Sequence, residues 1–135
     1  MKTVTIIVTT KNEEKVLARC LHSIQKQNYT PIELIVVDNH STDQTVNIAK
    51  QYTKKVYNKG PERSAQRNYG AQKGKGDYYF FIDADMQLQS RVVEDCVRAI
   101  EKGKEAILIQ ETFIGKGYWS KCKTLEKSCY TGTGD

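Results

Sequence analysis

The stretch FFIDADMQ, Phe80–Gln87, completes an apolar run that begins at Tyr78 and ends in two carboxylates. A continuous apolar run of this kind predicts a strand that is buried on both faces. Because residues i and i+2 of a strand point the same way, Asp83 and Asp85 converge if the extended backbone continues beyond the run. Paired carboxylates of this kind suit a hard cation such as Mg²⁺ or Mn²⁺. The alternative is a turn that caps the next helix, and Asp-x-Asp alone does not decide between them.

Other strand patterns lie on either side of this stretch, and helical patterns separate them. The segments 3–10 and 32–37 are apolar and rich in β-branched residues, 55–57 predicts a short strand, and 106–109 predicts a further one. Asn12 is the predicted N-cap of the first helix, and Ser41–Gln44 resembles a capping box for the second. Strands that alternate with helices predict an α/β fold, with a doubly wound, mostly parallel sheet and helices on both faces.

Polar residues follow three of these strands. They are Thr9 and Thr10 after the first, Asp38 after the second, and the Asp83–Asp85 pair after the run at residues 78–82. The carboxyl ends of parallel strands meet at one edge of the sheet, where ligands of such folds bind. We therefore expect these side chains to form one site, with Asp38 at a strand end outside the core.

Composition limits the class of protein. The 135 residues, of which 39% are hydrophobic, predict one domain, and the net charge of +5 fits an anionic partner. Arginines and aromatics do not interleave as in single-strand binding, so a nucleic-acid partner is not predicted. None of the four cysteines forms a Cys-x-x-Cys pair, which argues against a zinc site and fits a reducing, cytoplasmic setting. No apolar run has the length of a membrane span, although association with the cytoplasmic face of a membrane is left open.

Four segments together resemble a known family. TIIVTTKNEE, ELIVVDNHSTDQT, RSAQRNYG and FFIDADMQ follow the order and spacing of family 2 glycosyltransferases. The resemblance is clearest up to Gln87 and weaker from Glu111 through the GYWSK segment. It implies the GT-A fold with its Rossmann-like nucleotide-binding half, a UDP- or GDP-linked sugar as donor, and Mg²⁺ or Mn²⁺ as cofactor.

The resemblance also implies roles for individual residues. Asp38 matches the aspartate that bonds the edge of the base, Arg67 matches a basic residue near the diphosphate or base, and Asp83 lies nearest the ribose and sugar. The other substrate-binding positions are Thr9, Thr10, Glu13 and Ala84. Each role has a structural alternative: an Asx turn for Asp38, a carboxylate at a helix N-terminus for Glu13, and a solvated helix residue for Arg67.

The implied metal ligands are Asp85, Asp83 and Gln87. Asp85 matches the metal-binding aspartate of the family. Gln87 matches a position that completes the metal shell in members similar to dolichol-phosphate-mannose synthase, which share the DAD-x-Q pattern. The alternative for Gln87 is a turn residue that faces solvent.

The catalytic base is unknown at this stage. In inverting members of the family an acidic residue downstream of Asp-x-Asp deprotonates the acceptor, and Glu111 is a weak candidate here. We therefore expect residues 1–135 to form a single nucleotide-sugar-binding domain that is incomplete at its C-terminus. The acceptor, a lipid-linked or glycan hydroxyl, and any homo-oligomer stay open.

Two other functions compete with sugar transfer. One is a nucleotide-sugar-binding module without turnover, which the lack of an evident base favours. The other is nucleotidyl transfer, but such enzymes usually have a Gly-rich loop with Arg or Lys after the first strand. This chain has TTKNEE there.

Overall fold

The computed structural model describes residues 1–109. It divides the chain into two units, residues 1–98 and residues 99–135, and the second unit is described only up to residue 109. The strands are β1 (Val4–Thr10), β2 (Ile32–Asp38), β3 (Val56–Asn58) and β4 (Tyr78–Asp83). The helices are α1 (Leu17–Gln25), α2 (Thr45–Lys50), α3 (Arg63–Lys73) and α4 (Val92–Glu101).

The four strands form one parallel sheet in the order β3-β2-β1-β4. β1 is buried along its whole length because side chains of opposite parity enter two separate cores. Ile6 and Val8 join the larger core with residues of α1, α2 and α4, whereas Ile7 joins a smaller core with Ile35 and Val37. Tyr69 and Ala71 of α3 pack on the smaller core. Helices thus cover both faces of the sheet, and the predicted α/β fold is confirmed.

The prediction that β4 is buried on both faces was wrong. Ile82 is buried on the larger core, but Tyr79 is 43% exposed and Phe81 is 44% exposed. β4 is the last strand of the described sheet, and α3 packs on β1 and β2 instead. The apolar composition of this strand therefore does not show whether other elements cover both of its faces.

The prediction of a further strand was also wrong, because residues 106–109 do not form a strand.

Both predicted helix caps were wrong as well. α1 begins five residues after Asn12, which has a left-handed backbone (φ 50°) and accepts a hydrogen bond from the Thr42 N–H through its side-chain oxygen (2.8 Å). Ser41 does not cap α2, since its side chain bonds Asp38, while Asp43 Oδ1 accepts the Thr45 N–H. The polar residues of both loops thus bond each other or the strand ends instead of starting helices.

Candidate functional site

The ends of β1, β2 and β4 lie side by side at one edge of the sheet. In the strand register Thr10 is opposite Asp38, and Thr9 is opposite Asp83. The parallel pairing places all four residues at the carboxyl edge, as the sequence predicts. Their side chains also bond across the strands, from Thr10 Oγ1 to Asp38 Oδ1 (2.6 Å) and from Thr9 Oγ1 to Asp83 Oδ1 (3.3 Å).

Asp38 is buried, in contrast to the expected position outside the core, with only 2% of its surface exposed. Its Oδ1 accepts hydrogen bonds from the Thr10 and Ser41 hydroxyls (2.6 Å each), and its Oδ2 accepts the Ser41 N–H (2.8 Å). The carboxylate therefore makes the Asx-type bond that was the structural alternative. A carboxylate offers about four acceptor positions. Three are used, so one position is left for a ligand N–H.

Asp83 is the centre of a charged cluster. Its Oδ2 pairs with Arg63 Nη1 and its Oδ1 pairs with Arg67 Nη2, both at 3.3 Å, and its side chain is 22% exposed. Arg67 Nε is buried and has no partner among the described residues. Sequence analysis proposed Arg67 but missed Arg63, which lies one turn earlier on α3. The spacing of four residues is the signal that would have found it, because such residues share a helix face.

Asp83 and Asp85 do not continue one extended strand. β4 ends at Asp83, and the Met86 N–H donates to the Asp83 carbonyl (3.1 Å), which closes a turn over the intervening residues. Ala84 is buried in this turn, whereas Asp85 and Gln87 are exposed. The extended backbone on which the expected convergence depended therefore ends at Asp83, and the turn sets the positions of the two carboxylates.

The donor set fits a cation that is shared with a bound ligand. Within residues 1–109 there is no group of three or more His, Cys, Asp or Glu side chains that could hold a metal ion. Mg²⁺ usually binds through one or two carboxylates together with substrate phosphates and water. Exposed Asp85 beside Asp83 supplies that kind of open site, with Gln87 close in sequence.

The charges of Asp85 and Asp83 act on the carboxyl group of Glu13. Partial burial, followed by the negative charge of Asp85, raises the pKa of Glu13 above its ordinary value, although Arg63 opposes the shift. α1 begins at Leu17 and has no acidic residue in its first turn, so Glu13 is not the carboxylate of a helix N-terminus.

The loops after β1 and β2 are linked to each other. The Glu13 N–H donates to Thr45 Oγ1 (2.8 Å), and the Gln44 N–H donates to a carboxylate oxygen of Glu14 (3.0 Å). The Asn12 N–H donates to Ser41 Oγ (2.7 Å). These loops therefore hold one another in place around Asp38. Glu111, the weak candidate for the base, lies outside the described residues.

A parallel α/β sheet with charged and polar side chains at its carboxyl edge defines a nucleotide-binding domain of the GT-A type. The chain matches the sequence model of Glycosyl transferase family 2 over residues 5–131. It therefore belongs to that family. No helix within the described residues is both long and apolar enough to span a membrane.

The chain is similar to bacterial enzymes of known name. It is 32% identical over 127 residues to poly(ribitol-phosphate) beta-N-acetylglucosaminyltransferase TarP of Staphylococcus aureus (strain N315), covering 87% of this chain and 39% of TarP. It is 28% identical to GalNAc(5)-diNAcBac-PP-undecaprenol beta-1,3-glucosyltransferase of Campylobacter jejuni, covering 87% of this chain and 44% of that enzyme. The chain thus spans less than half the length of these relatives.

Solved structures agree in fold. The crystal structure of S. aureus TarS residues 1–349 superposes with a TM-score of 0.69 at 24% identity, covering 86% of this chain and 40% of that TarS chain. The mannosyltransferase PcManGT from Pyrobaculum calidifontis, in complex with GDP-Man and Mn²⁺, superposes with a TM-score of 0.58 at 27% identity. That superposition covers 65% of this chain and 29% of PcManGT.

Proposed function

We propose that this chain binds a nucleoside-diphosphate sugar and serves as the donor half of a glycosyltransferase. The observation that carries the proposal is the cluster at the carboxyl edge of the sheet, where Asp38 and Asp83 lie on either side of the end of β1 and two arginines of α3 pair with Asp83. Two structural neighbours support the donor class, since TarS has been solved in complex with UDP-GlcNAc and PcManGT in complex with GDP-Man.

In this proposal each side chain acts on one part of the donor. The remaining acceptor position of Asp38 takes an N–H of uracil or guanine, while Thr9, Thr10 and Glu13 lie along the nucleoside. The guanidinium groups of Arg63 and Arg67 turn towards the diphosphate, whose oxygens accept bidentate bonds well.

Asp85 and Asp83, with Gln87, would hold Mg²⁺ or Mn²⁺ together with the phosphates. When bound, the cation supplies positive charge that stabilises the leaving diphosphate. Ala84, buried in the turn between the two aspartates, keeps that turn against the core. The residue that deprotonates the acceptor hydroxyl is not assigned within the described residues, and Glu111 stays a candidate.

The acceptor class is proposed from the named relatives. TarP is named for transfer to poly(ribitol phosphate), and the Campylobacter enzyme for transfer to an undecaprenol-linked glycan. We therefore propose a hydroxyl of a polymer or a lipid-linked glycan as acceptor, and the cytoplasm or the cytoplasmic face of a membrane as location. The free thiols of Cys20 and Cys96 fit a reducing compartment.

Titration calorimetry with UDP and GDP, each with Mn²⁺ and with EDTA, tests the proposal. We expect one of the two nucleotides to bind, and to bind more tightly with Mn²⁺. A transfer and donor-hydrolysis assay with UDP- and GDP-sugars then separates an enzyme from a binding module. Absence of nucleotide binding in every condition would refute the proposed function.

A further inference from the structure

α3 carries both arginines of the charged cluster and packs on β1 and β2 with half-buried Tyr69 and Ala71. Only Gln66 and Gly70 of this helix are buried. A Cβ atom on Gly70 would lie 2.6 Å from Ile7 Cγ2 and 3.2 Å from Val37 Cγ2. The helix can therefore approach β1 and β2 closely because Gly70 has no side chain. Gln66, one turn earlier and only 4% exposed, faces the same seam between the two strands.

The side-chain amide of Gln66 joins the ends of both strands. Its Nε2 donates to the carbonyl of Thr10 (3.0 Å) and to the carbonyl of Val37 (2.8 Å). A primary amide has two N–H donors, so each strand receives one. Thr10 is the last residue of β1, and Val37 directly precedes Asp38. The amide thus fixes α3 against the strand ends where the site lies.

The arginines cannot supply this placement themselves. Arg63 and Arg67 pair with Asp83 through exposed or half-exposed side chains, and such ion pairs contribute little to stability. We propose that Gln66 is a positioning residue, which holds α3 so that Arg63 and Arg67 face Asp83 and, in the bound state, the donor diphosphate. Only the diphosphate part rests on the proposed function.

The test replaces Gln66 with Met, which has a similar length but no donor. Gln72→Met is the matched control, because Gln72 is an exposed residue of the same helix. We expect the affinity of the 135-residue chain for UDP or GDP with Mn²⁺ to fall about tenfold in Gln66→Met, since α3 would then hold the arginines in place in only about a tenth of the molecules. The control should bind like the parent, and circular dichroism should show all three proteins folded.

A double-mutant cycle with Arg67→Ala separates positioning from a general loss of structure. If Gln66 acts through the arginines, Gln66→Met should cost much less affinity in the Arg67→Ala background than in the parent. Equal losses in both backgrounds would overturn the proposal, as would parent-like binding of Gln66→Met. An unfolded Gln66→Met chain would overturn it too, because Gln66 would then maintain the fold as a whole.

Crystal structures of the parent and of Gln66→Met decide the inference without any ligand. We expect the contacts of Arg63 and Arg67 with Asp83 to be lost or lengthened in the variant. If the parent binds neither nucleotide, the proposed function fails, and this comparison still tests the placement of α3. Unchanged contacts in Gln66→Met would refute the positioning role.

Discussion

Replacement of Asp38 by Ala should destabilise the fold as well as weaken nucleotide binding. The carboxylate is 2% exposed and accepts three hydrogen bonds, from two hydroxyls and one backbone N–H. Hydrogen bonds to a charged group contribute about 1.5–3 kcal/mol each, and donors left unpaired cost a similar amount. Because the half-buried Ser41 hydroxyl can rotate towards water whereas the buried Thr10 hydroxyl would lose its partner, we expect a net loss of about 3 kcal/mol in the free energy of unfolding.

Asp38→Asn separates stability from recognition. An Asn side chain can keep its oxygen towards the Ser41 N–H and place its NH₂ where Oδ1 now meets the two hydroxyls. Hydroxyl groups can accept as well as donate, so these contacts can survive with reversed polarity. We expect a loss of about 1 kcal/mol or less in stability. The loss in nucleotide affinity should be larger, because the charged acceptor for the base is gone.

Urea unfolding followed by circular dichroism measures these differences. Asp95→Ala is the control, since the Asp95 side chain is 61% exposed and lies 3.9 Å from Arg98. The control should stay within about 0.5 kcal/mol of the parent. If Asp38→Ala also stays within that margin, the three hydrogen bonds do not hold the strand end as described.

Three further predictions follow from the charges. Asp85→Asn should remove most of the Mn²⁺ dependence of nucleotide binding in calorimetry, whereas Asp95→Asn should leave it unchanged, because Asp85 is a proposed ligand of the cation and Asp95 is not. Arg67→Ala should weaken nucleotide diphosphate binding by about 1–3 kcal/mol, and the loss should be much smaller for the uncharged nucleoside. Burial opposes ionisation of Glu33, but hydrogen bonds from Lys55, from a threonine and from a backbone N–H lower its pKa to about 2. The carboxylate therefore adds stability above pH 4.5 that is lost as the pH falls towards 2, about 3 kcal/mol in all, and Glu33→Gln should flatten this part of the stability profile.

The sequence predicted the sheet and the edge that carries the site. β1 and β2 were recognisable because β1 is buried along its whole length and β2 over its last four residues, which favours a continuous apolar run with a sharp polar end. The same rule failed for β4, where aromatic side chains on an exposed face imitate burial. The hydrophobic pattern and composition of a strand show which surroundings suit its side chains. Which elements cover its faces depends on the whole sheet.

The loops were the least predictable part of the site. Asn12 and Ser41 have the chemistry of helix caps, and sequence alone cannot tell a local cap from a partner thirty residues away. Asn12 accepts the Thr42 N–H of the next loop, and Ser41 accepts the Asn12 N–H in addition to its local bond to Asp38. Arg63 was missed for a related reason. An exposed arginine indicates a site only when its partner is known, and Asp83 lies opposite Arg63 only in the folded chain. The role of each of these residues depends on tertiary contacts.

The two aspartates at the strand ends differ in burial and in hydrogen-bond partners, so we expect them to have different roles. Asp38 is buried and bonded on both oxygens by neutral groups, so it holds the loop and offers one acceptor position to a ligand. Asp83 is partly exposed and is bonded by two guanidinium groups that can exchange partners at little cost. Arg67 also keeps a buried Nε donor without a partner among the described residues. An arriving anion would satisfy that donor and release Asp83 towards Asp85, so anion and cation binding should each favour the other.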